Sequence, residues 1–165
     1  GGGSFFPADD AEALIVRTKT AEDHATPAGN GVMVQNLARL YFLTGEERFR
    51  SRADIIITAF SGELDRNFFP FATLMNGAEL LQCAEQVVVI GHRGDADTKA
   101  LLEAVFKTDS PNRVLSVIAP GATLPDGHPA AGKEQIDGAA TAYVCVGPTC
   151  SLPLTQPQAL ASAIG

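Results

Sequence analysis

Three polar residues close together in the sequence carry the chemistry of a binding or acid–base site. Asp23 and His24 are adjacent, and Asn30 follows across Ala25-Thr26-Pro27-Ala28-Gly29. A carboxylate and an imidazole held together can move protons, and an amide can orient a hydroxyl-rich ligand. Asp23, His24 and Asn30 are therefore the ligand-binding candidates. The same residue types also serve a capped helix start beside a solvated loop, and both readings stand. No second carboxylate is placed at a definable distance, so a paired-carboxylate glycosidase mechanism is not supported by these residues.

Two other groups have residue types that could carry chemistry. Gly91-His92-Arg93-Gly94, after an apolar strand and before a helical stretch, is shaped like an anion-binding turn, because amides at a helix start attract anions. It lacks the three-glycine fingerprint and any Lys-Ser or Lys-Thr pair, and Asp95 and Asp97 would repel a phosphate. A solvated turn is favoured and nucleotide binding disfavoured. Cys145 and Cys150 enclose Val146-Gly147-Pro148-Thr149, whereas a thioredoxin-like pair encloses two residues. With His24, His92 and His128 scattered, a zinc site lacks its further ligands. Buried, reduced cysteines are expected, with a disulfide across the turn as the alternative. No metal and no cofactor is implied.

The elements that must hold these residues are readable in outline. Thr26-Pro27 is a good helix start, and Met33, Leu37, Leu40 and Tyr41 continue at helical spacing to Leu43, with Gly45 at the left-handed closing position. Gly29 and Gly31 each cost about 1 kcal/mol against alanine in a helix interior. That cost is offset either by close approach of another helix or by space for a ligand; close approach is the simpler account. A second helix begins near Glu46 with Phe49, Ala53, Ile56 and Phe60 on one stripe, forming an antiparallel hairpin with the first. Pro70 leads into a third, carrying Phe71, Leu74, Ala78 and Leu81.

Val87-Val88-Val89-Ile90 has no polar alternation and reads as a strand buried on both faces under helices. Asp95 or Asp97 can cap the next helix, whose stripe is Leu101, Leu102, Val105 and Phe106. A second apolar strand at Val114 to Ala119 completes a parallel βαβ unit. Pro120 to Gly138 is mostly loop, with a short turn of helix at Ala130 to Glu134. Thr141 to Val146 is a third strand and Pro157 to Ile164 a closing helix. Near the amino end, Phe5-Phe6 and Ala13 to Val16 are read as a short hairpin. The fold class is mixed α/β: a helical hairpin plus a third helix, joined to a small three-stranded sheet that contains a βαβ unit and is flanked by helices. Residues 1–84 form the helical region and 85–165 a small α/β subdomain.

Bulk properties exclude some functions. The 165 residues suffice for a sizeable core. A net charge of −7 and a pI near 4.8 oppose a general phosphate-backbone binder, so no nucleic-acid partner is expected. The longest apolar runs fall far short of the roughly 18 residues of a membrane span. Three cysteines are too few for a disulfide scaffold, so a reducing, cytoplasmic setting is expected. The start at Gly1-Gly2-Gly3-Ser4, without a methionine, suggests an excerpt of a longer protein.

Several of these stretches together resemble one family. They are Asp23 to Asn30, Leu43-Thr44-Gly45-Glu46, Val87 to Gly91, Asp137-Gly138, Thr141-Ala142-Tyr143-Val144-Cys145, and Cys150 with Pro153. The combination is similar to the carboxyl-terminal part of the family of spermatogenesis-associated protein 20 and its bacterial relatives. That resemblance implies a parent with a thioredoxin-like domain followed by an (α/α)6 toroid of the six-hairpin glycosidase type. The first two helices would then be among the last of the toroid, and Asp23 to Asn30 would lie on a loop contributing to a carbohydrate-type site. The partners implied are the rest of the parent chain and a sugar-like small molecule. The family's redox cysteines belong to the domain outside this chain, so Cys145 and Cys150 do not inherit that role. His24, Ala28 and Gly31 depart from the family's usual residues. Exposed apolar helix faces would also make the excerpt self-associate into homo-oligomers.

Overall fold

The computed structural model describes residues 2–4, 19–125 and 127–164, so the expected hairpin of Phe5-Phe6 with Ala13 to Val16 lies outside the described residues. These residues contain five α-helices and one four-stranded sheet, a mixed α/β fold. They form two compact units, Gly1–Tyr41 with Glu46–Gln82, and Phe42–Gly45 with Cys83–Gly165.

In the first unit, α1 (Gly29–Thr44, through Tyr41) and α2 (Glu47–Leu64) form where two consecutive helices are expected. A 3-10 turn, Phe69–Phe71, then leads into α3 (Ala72–Cys83). The α2 stripe is as read: Ala53, Ile56 and Phe60 are buried. The α1 stripe is not. Val34, Leu37 and Ala38 are buried, while Met33 and Leu40 are exposed. Small residues decide this face. A Cβ on Gly31 would lie 2.8 Å from the Leu74 amide nitrogen, and one on Gly77 would lie 2.8 Å from Val34 Cγ1. The two helices thus approach at reciprocal glycines, and Gln35 Nε2 donates to Thr73 O at 3.1 Å. Gly31 serves close approach, whereas nothing lies within 4 Å of a Cβ on Gly29.

In the second unit the strand order is β2-β1-β3-β4. The central strand β1 (Glu85–Ile90) pairs in parallel with β2 (Arg113–Ile118) through the crossover helix α4 (Ala96–Phe106). On its other side it pairs antiparallel with β3 (Thr141–Val146). The expectation of three strands is corrected by β4 (Thr149–Cys150), a two-residue strand opposite the end of β3. Val87 and Val89 pack with Leu101, Val105, Leu160 and Ile164, so α4 and α5 (Pro157–Ala163) cover one sheet face. Val88 and Ile90 face the other way and pack with Ala130, Leu124, Ile118 and Tyr143. A loop, rather than helices, meets that second face. It contains turns but no helix at 130–134. Phe106, expected on the α4 stripe, is 73% exposed.

Arg113 joins the ends of these elements. Its Nε pairs with Glu85 Oε2 at 2.5 Å, and its side chain is only 7% exposed. Nη1 donates to Thr108 O at 2.7 Å, Thr108 Oγ1 at 2.8 Å and Val105 O at 3.2 Å, and Nη2 donates to Ile164 O at 2.8 Å. A buried pair broken from one side leaves an uncompensated charge, costing about 3–5 kcal/mol. Arg113→Met is therefore expected to lose that much in urea unfolding, and adding Glu85→Leu to recover part of it. A single-variant loss below about 1 kcal/mol, typical of an exposed pair, would refute this role.

Candidate functional site

The loop before α1 is ordered by the polar residues singled out in the sequence. Asp23 Oδ1 accepts from the Ala28 amide at 2.8 Å, and Oδ2 accepts from the Thr73 amide at 2.7 Å. The Asp23 amide donates to Pro70 O at 2.6 Å. One carboxylate thus closes its own loop and caps the first turn of α3, where unpaired amides favour negative charge. Burial pushes the Asp23 carboxyl up, but the amides of Thr73 and Ala28 outweigh it and hold the group below the usual carboxylate value.

Asn30 is 5% exposed. Its Oδ1 accepts from Ser4 N at 2.6 Å, while Nδ2 donates to Ser4 O at 3.0 Å and Thr20 O at 2.8 Å. The amide exchanges both bonds with Ser4 as a strand neighbour would. His24 is exposed, and its backbone amide bonds Thr26 O. The structure thus holds Asp23 and Asn30 against main chain and leaves His24 toward solvent.

The first turn of α4, after the glycine turn that follows β1, carries the protein's own anion, Asp97. Asp97 Oδ1 accepts from the Thr98 amide at 2.8 Å, and Oδ2 from the Ala140 amide at 2.7 Å. The Ala140 amide, then that of Thr98, holds the Asp97 carboxyl below its ordinary value. A Cβ at Gly91 would collide with Thr98 Oγ1, so this glycine permits close packing of turn on helix.

Two features escaped the sequence reading. A crevice of about 540 Å³ opens where β1 and β2 end, between Ile90, Ile118, Pro120, Leu124, Ala130 and Lys133. Open α/β sheets place ligands at such carboxyl ends. Burial pushes the Lys133 ammonium below the usual lysine range, and Nζ donates to Pro129 O at 2.7 Å. The second is His128, 8% exposed, whose Nδ1 accepts from the Ala130 amide at 3.0 Å. Its Nε2 therefore carries the proton donated to Leu43 O, 3.0 Å away. Neither site had a local motif to announce it.

The cysteine expectation is corrected. Cys145 and Cys150 form a disulfide, with Cα atoms 4.0 Å apart, and Cys83 is an exposed free thiol. Val146 and Thr149 pair across a two-residue loop in which Gly147 has φ +56°, the glycine position of a II′ hairpin. That turn sets the two cysteines opposite each other. The signal in the sequence is the turn dipeptide Gly147-Pro148 between the β-branched residues Val146 and Thr149. Among the described residues no group of three or more His, Cys, Asp or Glu side chains is placed to hold a metal ion. No helix among them is long and apolar enough to cross a membrane.

Fold and site together define a mixed α/β chain in which the side chains of Asp23, Asn30 and Asp97 are engaged by backbone. The chain is homologous to spermatogenesis-associated protein 20, a larger protein: it is 32% identical to the Homo sapiens protein over 169 residues, covering 94% of this chain and 21% of that one. The Rattus norvegicus and Mus musculus proteins are 31% and 30% identical, over 94% and 95% of this chain and 20% of each relative. The chain thus spans about a fifth of the length of these relatives. No family model matches it, and no solved structure does.

The two depressed carboxyls predict an acid limit. A lowered folded-state pKa contributes stability above the unfolded value of 3.8 and loses it as pH falls through the folded value. Stability should fall as pH drops below about 4. Asp23→Asn combined with Asp97→Asn should flatten that fall in acid-dependent melting. An unchanged slope would exclude these two carboxylates as its source.

Proposed function

We propose that this chain is a structural and interaction segment of a larger protein, and that Asp23 and Asn30 position backbone rather than ligand. The observation carrying this reading is the occupancy of their polar atoms. Both Asp23 oxygens, and both Asn30 side-chain heteroatoms, are bonded to main-chain groups. The extent of the match supports it: nearly the whole chain aligns with about a fifth of each relative. The partner in this reading is the remainder of the parent, including the thioredoxin-like domain and toroid helices that the resemblance implies. Exposed apolar side chains supply surface for such packing. Phe68 and Phe69 stack with centroids 4.9 Å apart and are 55% and 80% exposed, and Ile55 is 56% exposed.

A carbohydrate-type site would need an outward-directed polar group on this loop. His24 is the exposed member of the three. Asn30→Ala separates the readings, because it strands Ser4 and Thr20 backbone groups. It should cost about 1–3 kcal/mol in chemical unfolding, and a panel of mono- and disaccharides should show no saturable binding to either chain. Saturable sugar binding that Asn30→Ala abolishes with stability unchanged would overturn the proposal.

A further inference from the structure

We propose that the Cys145–Cys150 disulfide is a thiol-exchange site, opened by a partner dithiol and reclosed, in the reverse exchange, by that partner's disulfide form while the chain stays folded. The two sulfurs differ in access. Cys145 is 5% exposed on β3, whereas Cys150 is exposed on the last, two-residue strand. An incoming thiolate therefore attacks Cys150 Sγ. A bond forms between the partner sulfur and Cys150, the Cys145–Cys150 bond breaks, and its electron pair leaves on Cys145 Sγ, which takes up a proton. The partner's second thiolate then displaces Cys150, which also takes up a proton. The cysteine pair gains two electrons and two protons, and the partner dithiol becomes a disulfide.

Both oxidation states can remain folded because other contacts hold the surrounding segments. β3 stays paired with β1 from Thr141 to Val146. Beyond β4, Leu154 exchanges backbone bonds with Ala142 at 2.8 and 2.9 Å. Leu160 is fully buried, and Arg113 anchors Ile164 O. The disulfide closes a short loop, so it constrains the unfolded chain far less than a long-range bridge would. With the bridge open, the segment after β4 is still held to β3 by the Ser151 amide, which donates to Val144 O at 2.7 Å.

The test uses the full chain carrying Cys83→Ser, which removes the exposed free thiol. Across glutathione redox buffers, mass spectrometry should show the pair interconverting by two hydrogens while the far-UV spectrum stays constant. Adding Cys145→Ser should give a glutathione adduct at Cys150 at least about tenfold faster than Cys150→Ser gives one at Cys145. The proposal falls if the bond opens only in denaturant, if opening unfolds the chain, if the pair never oxidises in oxidised glutathione, or if the two single cysteines react equally fast.

Discussion

In the α/β unit, a parallel pair joined by a helix leaves carbonyls and a carboxylate at the ends of its elements, and Arg113 meets several of them at once. A planar guanidinium can do this because its five donors are fixed in a fork, which a lysine ammonium on a flexible stem cannot reproduce. The groups it reaches lie at the start of β1, the end of α4, the turn after it and the end of α5. Arg113 itself begins β2, so the amino ends of both parallel strands are tied at one buried point. The carboxyl ends, at Ile90 and Ile118, open instead onto a crevice. The sheet is braced at one end and left accessible at the other, the distribution that suits α/β sheets whose loops carry recognition.

Elements whose signal is local were legible in the residues. The apolar run of β1 needs no partner to identify it, and the Ala53, Ile56 and Phe60 stripe of α2 is periodic within its own helix. The buried α1 face is not legible from hydropathy, which weights large residues. A helix crossing at reciprocal glycines instead buries its smallest face, so Gly31 and Ala38 turn inward and Met33 turns out. Arg113 carried no signal at all: Glu85 and Ile164 are brought to it only by the topology. Asp97 was readable as a helix-start residue, but its bond to Ala140 depends on β3 lying beside β1.

The cysteines show how spacing and register differ as evidence. Spacing alone distinguishes a thioredoxin-like motif from other arrangements and leaves open whether a pair outside that motif is reduced or bridged. Register asks which residues face each other once a turn closes. With two residues in the loop, Val146 opposes Thr149 and the next pair outward must be Cys145 and Cys150. The constraint lies in Gly147, whose positive φ suits a primed turn matching the strands' twist.

The same distinction governs the polar loop before α1. Asp23, His24 and Asn30 are residue types that could serve a ligand, but type says nothing about whether a group's bonding capacity is already used. Asn30 faces Ser4 with its acceptor and a donor and Thr20 with the second donor, so both amide hydrogens have partners. Binding a ligand through Nδ2 would mean breaking one of these bonds, and a buried carbonyl left alone costs more than a typical new hydrogen bond returns. Asp23 stands differently, since a carboxylate has further lone pairs, but each of its oxygens already restrains a different piece of chain. One oxygen fixes the loop that leads into α1 and the other fixes the start of α3. Asp23 thus sets the relation between the helices that meet at Gly31 and Gly77, and its charge is most effective where the α3 dipole points at it.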